Sequence, residues 1–225
     1  MTEADKRSAA EAAALEVRDG MLVGLGTGST AAHAIRAIAA SRRRVEAVAT
    51  SEASAALARS LGLTVRDFAD VAAVDLTIDG AGEIDDACRA IKGAGGAMLR
   101  EKIVASASRR MVVVADGSKR VAAIGKAKLP VEVLPFAIRF VERALGEMKG
   151  RPALRMAGGA PFVTDNGVHV IDCSFATMPD PAALGLELSA IPGVLGHGLF
   201  LTEVDAAYIA EDGIVTRVER SSVGR

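Results

Sequence analysis

Met21-Leu22-Val23-Gly24-Leu25-Gly26-Thr27-Gly28-Ser29-Thr30 runs from a short apolar strand through a glycine-rich loop into the helical stretch Thr30–Ala40. A buried strand that feeds a helix in this way is the opening unit of a parallel α/β sheet. Glycines let the backbone turn tightly, so successive N–H groups converge on an anion at the start of the helix. Thr27, Ser29 and Thr30 add hydroxyl donors. No Gly-Lys-Ser/Thr follows, so the loop is not a P-loop. Ser29 occupies the third glycine position of a dinucleotide fingerprint, which argues against a nucleotide-dependent oxidoreductase. A plain tight turn between strand and helix is the structural alternative.

The same alternation extends to both sides. Lys6–Val17 reads as a helix ended by Asp19-Gly20, Val45–Ala49 as a strand, Ser51–Leu61 as a helix capped by Ser51, and Leu63–Val65 as a strand. Val74–Ile78 is a strand ending at Asp79-Gly80, Ala97–Ala107 a helix, and Met111–Ala115 a fully apolar strand ending at Asp116-Gly117. Apolar strands alternating with helices indicate a parallel sheet covered on both faces. After Pro130 the pattern changes. Leu129–Pro135 is a strand bracketed by prolines, and Phe136–Lys149 a helix. Pro161–Thr164 and Val168–Asp172 flank the hairpin signal Asp165-Asn166-Gly167, and Ala182–Ala190 is a second helix. Ala206–Ala210 and Ile214–Val218 close the chain as a hairpin through Glu211-Asp212-Gly213. The expected architecture is a Rossmann-like parallel-sheet domain, residues 1–128 plus 200–225. A smaller α+β, ferredoxin-like domain, residues 129–199, is inserted before the C-terminal strands.

Composition narrows the classes of function. Half of the 225 residues are apolar, with no Trp, one Tyr and six Phe, a mix suited to helices packed on a buried sheet. Lys plus Arg (27) nearly cancels Asp plus Glu (28), so no global field favours nucleic acid or a membrane surface. The charged start Met1–Lys6 lacks the apolar core of a secretory signal, and no run of roughly 18 apolar residues occurs. Cys88 and Cys173 are isolated and read as buried thiols in a reducing compartment, most simply the cytoplasm. Arg42-Arg43-Arg44 reads as a solvated helix end. His33, His169 and His197 are scattered, structural or surface residues, and no metal-ligand spacing is present.

Three further loops leave strand ends. Asp79-Gly80-Ala81-Gly82-Glu83-Ile84-Asp85-Asp86 offers a carboxylate to a cleft, with Asp85 and Asp86 expected to be a solvated acidic turn. Ile91-Lys92-Gly93-Ala94-Gly95-Gly96-Ala97-Met98-Leu99-Arg100-Glu101-Lys102 sets a lysine and three glycines before a helix that carries Glu101 in its first turns. Alone, such a glutamate is a solvated residue complementing the helix dipole. Asp116-Gly117-Ser118-Lys119 places another lysine after another strand.

With Gly24–Thr30, Pro130–Pro135, Pro161–Gly167 and Ile191–Phe200, these segments fall in one familiar order along almost the whole chain. The sequence resembles the type A ribose-5-phosphate isomerases. The resemblance implies an aldose–ketose isomerase of the non-oxidative pentose phosphate pathway, without cofactor or metal, acting as a homodimer or homotetramer. Carried over position by position, it implies substrate contacts from Thr27, Gly28, Ser29 and Thr30, and from Asp79, Gly80, Ala81 and Gly82. Lys92, Gly93, Ala94 and Gly95 form the next group, with Lys119 beside them to meet charge on the intermediate's oxygen and Lys6 at the phosphate. Glu101 is the implied base, with Asp79 and Lys92 as catalytic partners. Moving a carbonyl from C1 to C2 requires taking a proton from C2 and giving one to C1. One carboxylate above a cis-enediol(ate) does both.

Two positions depart from the family pattern. Its acidic loop reads Asp-Gly-Ala-Asp-Glu, whereas this chain has Gly82 in place of the second aspartate, and Ala94 replaces a usual glycine. Asp79 or a water would then cover the lost role. The alternatives are a related sugar-phosphate isomerase, a weakly active paralogue, or, in a different class, a non-catalytic sugar-phosphate-binding module. A pure binder has no use for a base at position 101.

Overall fold

The computed structural model describes residues 2–221. The first part of the chain gives α1 (Glu3–Ala14), β1 (Leu22–Leu25), α2 (Ser29–Ala40), β2 (Glu46–Ala49), α3 (Glu52–Ser60), β3 (Thr64–Val65) and β4 (Leu76–Gly80). β5 (Glu83–Ile84), β6 (Ala90–Ile91), α4 (Met98–Ser106) and β7 (Met111–Asp116) follow. Next come β8 (Leu129–Val133), α5 (Ile138–Glu147), β9 (Gly150–Leu154), β10 (Met156–Ala157), β11 (Ala160–Pro161) and β12 (His169–Phe175). α6 (Pro181–Ala190), β13 (Val194–His197), β14 (Leu199–Phe200), β15 (Ala206–Glu211) and β16 (Ile214–Glu219) complete it.

The large sheet has the order β16-β15-β7-β4-β1-β2-β3. Every neighbouring pair is parallel except β15–β16, a hairpin closed by Asp212 and Gly213 at φ 50° and 80°. Two left-handed residues suit the twist of a two-residue hairpin. Chain order reverses between β1 and β4, and in such sheets ligands collect in the crevice at the carboxyl ends of those strands. α2 buries Ala31, Ala34, Ile35 and Ile38, a spacing that puts all four on one helical face. Ala34, Ile35 and Ile38 pack with Leu25, Ile78 and the alanines of α1 on one side of the sheet. Met111, Val113, Ala115 and Phe200 fill the other side.

β13-β8-β12-β9 forms a second, antiparallel sheet in the βαββαβ order of ferredoxin-like units. α5 buries Val141 and Leu145 on it, and α6 buries Leu184 and Leu188. β9 was not anticipated, because Arg151 and Pro152 mask its period. The expected strand Pro161–Thr164 does not form; only Val163 bridges His169, while Ala160 and Pro161 pair with β10. The turn explains this. Only Gly167 has positive φ there, and the Asp165 and Asn166 side chains leave the hairpin to bond α3 and α4. Cys88 and Cys173 are free and buried, as read. Among the described residues no helix is long and apolar enough to cross a membrane.

Candidate active site

Three buried ionisable groups meet beneath the β1–β4 crevice. Asp79 is the penultimate residue of β4, Lys92 follows β6, and Glu101 lies in the first turn of α4. Lys92 Nζ stands 2.9 Å from Asp79 Oδ2 and 3.3 Å from Glu101 Oε2, and it also donates to the Gly80 carbonyl. All three are at most 3 % exposed. The other oxygen of Asp79 accepts the Thr27 N–H at 3.0 Å and the Gly80 N–H at 2.7 Å. This seating needs Gly26, since a Cβ there would collide with the Asp79 carboxylate. Asp79 is therefore a fixed anchor that holds Lys92 and ties the first loop to the second.

Electrostatics set the proton affinities. Burial pushes the Glu101 carboxyl up, the Asp79 charge adds to this, and Lys92 opposes both, leaving Glu101 at about 7. Burial pulls the Lys92 ammonium down, but Asp79 and Glu101 outweigh it and hold it above its ordinary value. Lys92 stays charged, while Glu101 is poised to take and return a proton near neutrality. Lys92 also lies 5.3 Å from the centroid of the buried Phe200 ring, which adds a cation–π contact.

Above this cluster opens a cavity of about 270 Å³, lined by Lys6, Thr27–Thr30, Gly80–Gly82, Lys92–Gly95, Glu101, Asp116 and Lys119. The residues singled out from sequence thus converge, with Asp79 just outside the lining and bonded to Lys92. Lys6 reaches across from α1 to donate to Ser29 Oγ at 3.3 Å. The Thr27 hydroxyl faces Thr50 and Ser51, both at 2.8 Å, so Thr27 lines the cavity without offering that donor to it. Gly93 adopts φ 96°, whereas Ala94 avoids the left-handed region, so the alanine fits its position. A larger cleft of about 540 Å³ between α3 and α4 holds Arg59, Arg66 and Arg100 but none of the three buried groups.

Some participants were not foreseen. Asp116, at the end of β7, lines the cavity. Arg155, directly after β9, donates to the carbonyls of Gly93 and Ala94 at 3.2 and 3.0 Å and is held by Asp172. This grip fixes two carbonyls of the glycine loop. Glu132, fully buried in β8, accepts from Thr164 and Asn166 and adds to the upward push on Glu101. An acid directly after an apolar strand was the visible sign for Asp116; Arg155 and Glu132 carry no local sign. Asp85 corrects an expectation. It is 2 % exposed and accepts from the backbone of Ala87 and Arg89 and from the Arg89 guanidinium, so it folds its own turn, while Asp86 stays outside and pairs with Arg120. His33 pairs with Glu3, His169 with the Phe162 carbonyl and His197 with Ser189; none lines the cavity.

Comparison with known proteins agrees with this geometry. The family model for ribose 5-phosphate isomerase A (phosphoriboisomerase A) matches residues 46–213. Ribose-5-phosphate isomerase A of Sphingopyxis alaskensis is 52 % identical over 215 residues, covering 94 % of each chain. That of Thermomicrobium roseum is 45 % identical over 226 residues, covering 98 % of this chain and 95 % of its own. Among solved structures, ribose 5-phosphate isomerase A from Neisseria gonorrhoeae superposes with TM-score 0.94 at 35 % identity, covering 99 % of both chains. A D-ribose-5-phosphate isomerase in complex with phospho-erythronic acid gives TM-score 0.94 at 32 % identity over 98 % of this chain and 100 % of that one. The chain belongs to the ribose 5-phosphate isomerase A family, aldose–ketose isomerases that interconvert ribose 5-phosphate and ribulose 5-phosphate.

Proposed function

We propose that this chain is a working isomerase in which Glu101 alone moves the proton between C2 and C1 of the open-chain sugar phosphate. The observation that carries this reading is the buried Glu101 carboxylate at the cavity, 3.3 Å from the Lys92 ammonium. Ionised Glu101 takes the C2 proton, the electron pair moves into the C1–C2 bond, and charge grows on oxygen. Lys92 and the N–H groups of Gly93–Gly95 meet that charge without having to reorganise. Protonated Glu101 then returns the proton to C1. General acid–base catalysis of this kind contributes roughly 10²–10⁴-fold, most when the group titrates near working pH.

The phosphate belongs at the start of α2. Gly28 caps this helix without a side-chain bond, so its first N–H groups are available to an anion. Ser29, Thr30 and Lys6, which bonds Ser29, stand at that point, Lys119 lines the same cavity, and fixing the phosphate there fixes C1 and C2 beside Glu101. The relative solved with phospho-erythronic acid supports the scheme, because an aldonic acid phosphate presents a planar anion where an enediolate carries its charge. Residues 1–128 with 200–225 are proposed as one folding unit, 129–199 as another, and a homodimer or homotetramer in the cytoplasm as the working form.

The test is ketose formation from ribose 5-phosphate by the purified chain, with and without a chelator. We expect equal rates in both. Binding of ribose 5-phosphate with no ketose formed would refute the isomerase reading and leave a sugar-phosphate-binding module.

A further inference from the structure

Aldopentose 5-phosphates rest mainly as closed furanose rings, and no proton can leave C2 toward a neighbouring carbonyl until C1 is an aldehyde. The site must therefore hold a group that opens the ring. Of the carboxylates at the cavity, Glu101 is committed to the carbon protons. Asp79 has one oxygen filled by two backbone N–H groups and the other paired with Lys92. Position 82, the remaining place in the acidic loop from which a side chain would enter, is glycine.

Asp116 differs from both. It is 1 % exposed at the end of β7, and its Oδ1 accepts the Ser118 N–H at 3.0 Å and the Ser118 hydroxyl. These bonds fix the carboxylate. Its Oδ2 is buried with no hydrogen-bond partner, a costly state for an anionic oxygen unless a ligand completes it. The residue lines the same cavity as Glu101, Lys92 and Lys119. Register adds a second, independent sign. β4 pairs with β7 through Asp79 opposite Val113 and Gly80 opposite Val114. β4 ends there, so Gly82 lies just past the end of one strand and Asp116 at the end of its neighbour, and both line the cavity.

We infer that Asp116 is the acid–base group that opens the furanose ring of the substrate, filling from β7 the place that Gly82 leaves empty on the β4 side. The inference rests on the isomerase reading above. In the step, Asp116 Oδ2 takes the proton of the C1 hydroxyl, the O1 electron pair forms the C1=O1 double bond, and the C1–O4 bond breaks toward O4. Asp116 returns the same proton to O4. The step is neutral overall, consumes nothing, and leaves the open-chain aldehyde beside Glu101.

Asp116→Asn tests this, because the amide keeps an oxygen for Ser118 but cannot accept a proton. We expect kcat for ribose 5-phosphate to fall about 100-fold or more while KM and the melting temperature barely move. Adding Gly82→Asp to Asp116→Asn should recover at least about tenfold of the loss, since it returns a carboxylate to the same cavity. A Cβ at position 82 would lie 3.1 Å from the Ile91 carbonyl oxygen, so Gly82→Asp alone is the control for folding. If that control is destabilised, rescue of Asp116→Ala by added formate takes its place. Asp116→Asn with near wild-type kcat would overturn the assignment, and so would a dead Asp116→Asn that neither carboxylate restores. A wild-type chain inert toward ribose 5-phosphate would instead defeat the isomerase reading.

Discussion

Replacing Glu101 by glutamine keeps the shape of the side chain while removing a negative charge from beside Asp79 and Lys92, and it should change activity and stability in opposite directions. The wild-type carboxyl titrates at about 7 in the folded protein against 4.5 in the unfolded chain. Between those values the folded state holds a proton that the unfolded state lacks. The stability tied to the neutral form is thus complete below about pH 4.5 and is lost as pH rises through 7. At about 1.4 kcal/mol for each tenfold change in proton affinity, the fully ionised group costs roughly 3 kcal/mol. Glutamine does not titrate. Glu101→Gln should therefore match wild type near pH 4.5 and exceed it by up to roughly 3 kcal/mol at pH 8, a rise of roughly 6–12 °C in melting temperature for a chain of this size. Isomerisation should meanwhile fall roughly 10²–10⁴-fold, with phosphate binding kept. Urea unfolding at pH 4.5 and pH 8, beside a ketose assay, reads both effects. Equal stability of variant and wild type at pH 8 would refute the electrostatic account of the site, and retained turnover would refute the role of Glu101.

Other outcomes follow from the same geometry. Lys92→Met leaves two buried carboxylates without their cation, so it should cost about 3–5 kcal/mol as well as turnover; a cost below about 1 kcal/mol in urea unfolding would contradict the pairing. Glu132→Gln removes a charge that raises the Glu101 carboxyl, so the acidic limb of the kcat profile should move to lower pH at unchanged KM. A limb that stays put would make Glu132 purely structural. Lys119→Ala should raise KM for ribose 5-phosphate about tenfold at nearly constant kcat, more strongly at low salt. An equal fall in kcat would place Lys119 at the reacting carbons instead.

Much of this was readable from local chemistry. The strand, glycine turn and helix at Met21–Ala40 lie where periodicity put them, and Ser51 does cap α3, accepting the Ser54 N–H. The trio Asp79, Lys92 and Glu101 was named through the family resemblance; local position marked Asp79 and Lys92 as strand-end residues, but Glu101 alone reads as solvated, and its burial is set by packing. What stayed hidden depends on contacts distant in sequence. Nothing near Arg155 announces the carbonyls of Gly93 and Ala94, and nothing near Glu132, in a strand between valines, announces Thr164 and Asn166, which bond it from 32 and 34 residues on. Asp85 misled for a related reason, since its partner Arg89 is local but its burial is set by the packing of the whole β5–β6 turn.

The turn Thr164–Gly167 carries a consequence for modularity. From the second sheet, Asp165 accepts the Glu52 N–H at the start of α3, and Asn166 joins Arg100 on α4 to Glu132 on β8. Arg155 grips the glycine loop from the same side. The segment 129–199 can be bounded in sequence and lines none of the cavity, yet it braces the glycine loop and the helix α4 that do. Excising it, or grafting a sister segment that lacks these three side chains, would leave a parallel sheet with its strand-end loops unbraced. A segment exchanged into this scaffold has to bring the equivalents of Arg155, Asp165 and Asn166 with it.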